Sequence, residues 1–526
     1  MSNRNRTRPS IAGGVFVVAL LLGIVPAIPQ TRKTSTSKTG SSATSSPLAS
    51  AKQELAKGNL QVAETAVWTL LSTNPNDTQA LTLLAQIRSN QQRFPEAESL
   101  LRRVIQLDPK AISPRLNLAE TLLAQQKMED AVREYEEAQQ INPASSEIKV
   151  ELARLYLIKG DSEKTLLTLN QIPAARFPPI AIPIKVAGLL ASGRKADALV
   201  VAYKAPKQLP LSMALAEVFL HGNLPDEAQR ILRGVGPSTK SFPAHYYYLE
   251  GQAYMGLRQA DKAEASFRKA NTIEPKSVEI VMALAESFAM QNKHAESVAQ
   301  LQRARDLAPD SVPVFHHLII EAEAAGQNKV AADAARLLAQ QDPDNLDNIF
   351  LASAAMLQGN DSIGALAVLK NYTAKRATDA KGWLALGMAY LIQKDYPAAR
   401  EALEHSAQIQ PNQPETEFQL GVLSDAESKQ QEAVQHFERV LQIQPTHAGA
   451  WSKLGALYLQ QGELTKAENA LQRSAEQDAN NPDTQYKLAM VLGKMGKPEE
   501  ARQHMRRFQE LKNARTASRA DKPESR

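Results

Sequence analysis

Apolar and small residues recur along this chain as paired helical stripes, and each pair closes at a proline. Pro75, Pro109 and Pro143 lie 34 residues apart, as do Pro275, Pro309 and Pro343; Pro411 falls two such periods later and Pro445 one more. The gap from Pro143 to Pro275 is 132 residues, four periods less four, so the phase is nearly held. Inside each period the spacing predicts two helices. Alanine stands twelve residues before the closing proline at Ala63, Ala97, Ala131, Ala263, Ala331, Ala399 and Ala433, with Ser297 once in its place. A second small residue marks the eighth position of the period: Ala85, Ala119, Ala153, Gly251, Ala285, Gly387, Gly421 and Gly455. Small side chains at both places let two helices cross closely. Gly58, Gly160, Gly193, Gly326 and Gly462 are placed to end the first helix in a left-handed conformation. The proline then stops the second.

Some periods carry a fuller pattern. Trp383, Leu386, Gly387 and Tyr390 recur as Trp451, Leu454, Gly455 and Tyr458, and Ala263–Phe267 with Pro275 recurs as Ala433–Phe437 with Pro445. These residues resemble the tetratricopeptide repeat, whose 34-residue signature has this form. The resemblance implies an all-α, right-handed superhelical solenoid of about fourteen helix-turn-helix repeats, spanning roughly residues 44–515.

The middle departs from the pattern. Nine prolines fall between Pro173 and Pro243. Extra prolines shorten helices and bias the preceding residues to extended geometry. Two readings stay open there: a distorted stretch or hinge between two blocks, or degenerate but continuous stacking. The expected divisions are an N-terminal block over 51–175, a proline-rich stretch over 176–243, a C-terminal block over 244–515 and a basic polar tail over 516–526.

The N-terminus is of another kind. Arg4, Arg6 and Arg8 precede an apolar run from Ile11 to Val25. This reads as a signal peptide, or as a single membrane anchor, over residues 1–29. Residues 30–50 hold 12 Ser or Thr in 21, which predicts a flexible linker. The segment predicts an exported body: periplasmic, or anchored in the inner membrane with the repeats outside the cytoplasm. A membrane contact is expected only through this segment, if it is uncleaved.

Charge sharpens the picture. The net charge of +5 comes from the ends: residues 1–50 carry six basic residues and no acid, and residues 494–526 carry ten bases against five acids. The body is therefore acidic, which argues against nucleic acid as a partner. With no cysteine there is no disulfide, thiolate metal site or cysteine nucleophile.

The motifs of catalysis are missing as well: no G-x-x-x-x-G-K-[ST], no H-E-x-x-H and no G-x-S-x-G occurs. His316 and His317 are neighbours and diverge by about 100° on a helix, so they do not chelate as a pair. Carboxylate pairs such as Glu136–Glu137 and Glu499–Glu500 read as solvated faces. The expectation is no enzyme, no cofactor, no metal and no small-molecule substrate, with other proteins or peptides as partners.

In the tetratricopeptide-repeat family the second, fifth, ninth, twelfth and thirteenth positions of a unit line a groove. Carried onto this chain, the resemblance implies Tyr248, Gln252 and Met255; Met282, Glu286 and Met290; His316 and Ile320; Phe350 and Leu357; Leu384, Met388, Leu391 and Ile392; Phe418 and Val422; Tyr486 and Met490. Methionine adapts to varied partners. The same side chains could instead be buried between neighbouring units, and both readings stay open. The Lys/Asn pair of chaperone-binding members is absent: its places hold Leu116/Glu120, Val150/Arg154, Leu384/Met388 and Phe418/Val422. The resemblance thus implies a protein-binding scaffold, expected in envelope complex assembly, secretion or surface-polymer export. The alternative is a regulatory subunit or adaptor of a separate enzyme.

Overall fold

A computed structural model describes residues 47–235 and 241–520 of the chain. The expected signal or anchor, most of the linker and the end of the tail lie outside the described residues. Among the described residues there are 28 α-helices, one short 3-10 turn (Ala174–Arg176) and no strand. We number the helices α1 to α28 in chain order, from α1 (Pro47–Ala56) to α28 (Pro498–Ala520). Helix α1 thus starts inside the stretch read as linker, and α28 runs past residue 515 into the stretch read as tail. No helix among the described residues is long and apolar enough to cross a membrane.

The chain divides into two compact units, one ending at Gln259 and the other beginning at Ala260. Each is an all-α solenoid of antiparallel helices, in which odd-numbered first helices alternate with even-numbered second helices.

The turn within each repeat explains the period. Gly58, Gly160, Gly193, Gly326 and Gly462 all adopt positive φ, between 73° and 81°, as their spacing predicts, and Gly496 does the same. The equivalent place is held by Gln92, Gln126, Asn223, Arg258, Asn292, Asn360, Lys394 and Ser428, all with φ between 55° and 64°. That makes fourteen left-handed turns within repeats among the described residues, one per repeat; Asn412, at φ 60°, lies between two repeats. Most are built without glycine, which sequence spacing did not reveal. Some helix starts are capped by short polar side chains: Asp77 Oδ1 accepts from the Gln79 and Ala80 N–H groups at 2.9 and 3.0 Å.

The small residues do what their spacing requires. Ala63, Ala97, Ala131, Ala263, Ser297, Ala331, Ala399 and Ala433 are completely buried. A Cβ placed on Gly387 would meet Leu403 Cγ at 2.6 Å, and one on Gly455 would meet Leu471 Cγ at 2.5 Å. The first and second helices of these repeats touch at those points.

Apolar cores run through the described part of the proline-rich stretch. One apolar core joins Val150, Leu169, Ile172 and Ile184, and the next runs from Leu166 through Val186, Leu215 and Phe219 to Ala253. The prolines punctuate helices without breaking them. Pro210 and Pro225 occupy first-turn positions of α11 (Leu209–His221) and α12 (Pro225–Arg233), where a missing N–H costs nothing. The lost residues come from the second helices. α8 (Ser162–Asn170), α10 (Lys195–Tyr203) and α12 have 9 residues each, against 14 in most other second helices, such as α18 (Asn328–Gln341).

Candidate protein-binding groove

Three consecutive first helices of the second unit build the apolar site: α19 (Leu346–Gln358), α21 (Ala380–Gln393) and α23 (Pro414–Ala426). Helical periodicity brings Phe350, Ala354 and Leu357 to one face of α19 and Lys381, Leu384, Ala385 and Met388 to one face of α21. Together with Ser353, Gln413 and Glu415 these residues line a concavity of about 370 Å³ whose wall is almost wholly apolar. Three of the expected groove residues, Phe350, Leu384 and Met388, therefore share one site. Leu384 is 8% exposed and forms its floor, whereas Met388 is 37% exposed and faces solvent. Ile392, one turn further along α21, is exposed too.

Lys381 and Glu415 stand at the mouth, and neither forms an ion pair among the described residues. The only hydroxyl in the wall, that of Ser353, is turned back to donate to the Phe350 carbonyl at 3.0 Å. The wall offers no nucleophile beside a base; what it can do is take up apolar side chains.

The other expected positions divide. Met290, Ile320, Tyr486 and Met490 are exposed. Tyr486 rests against Phe508, with ring centroids 5.2 Å apart. Phe418 is half-buried against the core, its ring centroid 5.5 Å from Phe437 and 4.9 Å from His447. Met282 is half-buried against Val281, Ala304 and Val314. Glu286 and Ile320 line a smaller hollow of about 150 Å³ with His317 and Glu321. His316 is half-buried; burial, and then the neighbouring His317, pull its pKa below the usual histidine range. Tyr248 belongs to the first unit and packs on the core around Leu249 and Phe219. Groove and core thus both claim residues from the expected set. No group of three or more potential metal ligands occurs among the described residues.

The first unit contains a concavity that sequence reasoning missed. Gln86, Ser89 and Asn90 of α3 (Thr78–Asn90) and Asn117, Glu120 and Thr121 of α5 (Ile112–Ala124) line a hollow of about 180 Å³ over Phe94 and Leu101. Burial raises the Glu120 pKa above the ordinary carboxylate range, and the Glu151 charge on α7 (Ser146–Ile158) raises it further. Burial likewise raises that of Glu151, against the pull of Arg154, which pairs with it at 3.1 Å. The available signal was a polar residue at successive groove positions, Gln86 and Glu120, where later repeats of the second unit carry Met388 and Val422.

Family models for the tetratricopeptide repeat match residues 90–134, 122–180 and 426–491, residues 248–312 and 351–414, and residues 483–511, more than half of the chain together. The chain belongs to the tetratricopeptide-repeat family. The matched ranges pass over residues 181–247, where the second helices are short.

Among curated relatives, the tetratricopeptide repeat-containing protein trd-1 of Caenorhabditis elegans is 26% identical over 133 residues, 25% of this chain and 17% of that protein. The human protein O-mannosyl-transferase TMTC3 is 30% identical over 115 residues, 22% of this chain and 13% of that protein. The tetratricopeptide-repeat chain thus spans less than a fifth of the length of these relatives. Among solved structures, the APC/C hetero-tetramer Cut9–Hcn1 aligns over 88% of this chain and 92% of its own, at 14% identity and a TM-score of 0.40. MamA from Desulfovibrio magneticus RS-1 aligns over 32% of this chain and 95% of its own, at 20% identity and a TM-score of 0.29.

Proposed function

We propose that this tetratricopeptide-repeat protein is a non-catalytic scaffold that docks partner proteins through the apolar concavity of its second unit. The observation that carries the reading is the joint wall of Phe350, Leu357, Leu384 and Met388 across consecutive helices. An apolar wall with charged residues only at its rim suits a helix or extended segment that inserts spaced apolar anchors. Methionine at the exposed position accommodates differing anchors.

The scaffold works outside the cytoplasm, in the periplasm or held at the inner membrane, and serves envelope complex assembly, secretion or surface-polymer export. The basic start and the apolar run from Ile11 to Val25 support this placement. The similarity to an O-mannosyl-transferase covers too little of that protein to bring its activity here.

The test is in-cell photo-crosslinking from a photoreactive residue at position 385, with position 439 on a second helix as control, combined with cell fractionation. One or two envelope proteins captured in fixed ratio from 385 and not from 439 support the reading. Capture of a cytoplasmic enzyme from 385 overturns the placement and makes the chain an adaptor of that enzyme.

A further inference from the structure

The hollow of the first unit has the opposite chemistry to the apolar site. Gln86, Asn90, Asn117 and Glu120 all reach it. None of these four side chains is hydrogen-bonded to, or ion-paired with, another described residue. The Ser89 and Thr121 hydroxyls, 3.3 Å apart, satisfy each other beside them. Elsewhere in the same unit, carboxylates facing neighbouring helices are matched: Glu98 receives Lys127 at 2.8 Å and Arg102 at 2.9 Å, and Glu64 receives Arg88 at 2.8 Å. Glu120 is left without a cation, its side chain open to solvent at the edge of the hollow. Arg154, at the same place one repeat further on, is engaged by Glu151.

We propose that this hollow binds a cationic segment of a partner protein, one lysine or arginine side chain set against Glu120 and the free amides of Asn90 and Asn117 meeting the polar groups beside it. The inference rests on the scaffold reading and adds a second docking surface with its own specificity. Charge decides the class of ligand. Glu120 with Glu151 beyond it repels anions, and an apolar anchor would leave four polar side chains unsatisfied. A charge-assisted hydrogen bond to this unpaired carboxylate is the strongest contact the site can make. A metal ion is a poor fit, because the hollow supplies a single carboxylate.

The experiment uses the full chain and two photoreactive peptide probes of about ten residues, one alternating Lys and Ser, the other alternating Leu and Ser. Labelled positions are mapped by mass spectrometry. The lysine probe is expected to label residues 86–121 and the leucine probe residues 350–388. Glu120→Gln should cut lysine-probe labelling by about fivefold or more and leave leucine-probe labelling unchanged. Glu120→Asp should restore part of it, and raised salt should weaken it.

Lysine-probe labelling spread over other acidic surfaces, or unaffected by Glu120→Gln, overturns the proposal. So does a crosslink from the chain's own Arg32–Lys38 stretch into 86–121 that excludes the probe, since the site would then be filled from within. Loss of leucine-probe labelling at 350–388 with lysine-probe labelling intact strikes the scaffold's apolar site alone, so the two failures are distinguishable.

Discussion

Gly421 lies against the ring of Phe437 so closely that a Cβ on it would stand 2.7 Å from the ring Cε1. Phe437 is completely buried and cannot swing away without displacing its neighbours. Gly421→Ala should therefore force the first and second helices of this repeat apart, at a cost of about 1–3 kcal/mol. Amide hydrogen exchange over residues 414–443 measures this locally, which suits a solenoid whose repeats open individually. Unchanged protection there would show that the ring has room to yield.

Ser297 holds the place that alanine holds in most repeats, and its hydroxyl pays a penalty for it. The side chain is completely buried, and its Oγ has no hydrogen-bond partner. A buried hydroxyl left unsatisfied costs about 1–3 kcal/mol. Ser297→Ala restores the repeat's usual residue and should stabilise residues 278–307 by about 1 kcal/mol. Slower amide exchange across that helix pair is the expected result; faster exchange would mean that the hydroxyl is satisfied by a trapped water.

These two positions show what a sequence can and cannot carry. The 34-residue period, the buried alanines and the close glycines were all legible, because each is a steric demand repeated at a fixed interval. The left-handed turns were legible only where glycine fills them. Lys394 and Asn360 hold the same backbone, and a long side chain advertises nothing about φ. The prolines of the middle stretch left a hinge and continuous stacking both open, because their number was visible and their places at helix starts were not. Val422 and Met388 occupy like positions in the period. Val422 packs against the core around Phe437 and Leu454, whereas Met388 stays exposed. Such depth depends on side chains from other helices, which a position within the period does not specify. Glu120 was visible only as a departure from a chaperone-binding pair.

Lys394 ends α21 at φ 60°, ψ 23°, where a β-carbon is disfavoured. Glycine fills the same turn in six other repeats. Lys394→Gly should relieve that strain and stabilise the α21–α22 pair (α22, Tyr396–Ile409) by up to about 1 kcal/mol. The mirror substitution, Gly462→Ala at φ 77°, should destabilise its repeat by a similar amount. Thermal unfolding of both variants, run side by side, checks the sign: two shifts in the same direction would refute the conformational argument.

The exposure of Met388 and the burial of Leu384 separate binding from stability within one helix. Met388→Glu places a charge in an apolar wall at an already solvated position. It should leave thermal unfolding nearly unchanged while lowering leucine-probe labelling of residues 350–388 by about tenfold. Leu384→Ala removes part of the floor and should cost about 2–3 kcal/mol of stability, so its effect on labelling mixes two causes. A Met388→Glu variant that labels like the parent would mean that the concavity is not where apolar segments dock.

Glu120 gives the pH dependence. Its carboxyl is held above the ordinary range by burial and by Glu151, whose own partner is Arg154, and the buried Tyr135 hydroxyl feels the Glu120 charge. The raised pKa means that the folded chain keeps this proton at pH values where the unfolded chain has released it. Stability contributed by Glu120 is therefore highest below the ordinary carboxylate range, falls as pH rises through the raised value, and stays lower above it. Glu120→Gln abolishes the ionisation. It should raise the unfolding temperature at pH 7 slightly, by no more than about 2 °C, and the gain should vanish at pH values below the ordinary glutamate range. Binding of a cationic segment should run the other way, since only the ionised carboxyl attracts it. Lysine-probe labelling of the parent should fade on acidification at a higher pH than an ordinary exposed glutamate would give. A variant stabilised at pH 7 that has also lost its lysine-probe labelling would mark Glu120 as a group kept for binding at a cost in stability. A Glu120→Gln variant less stable than the parent at pH 7 would mean that the carboxylate has a partner in the folded chain after all.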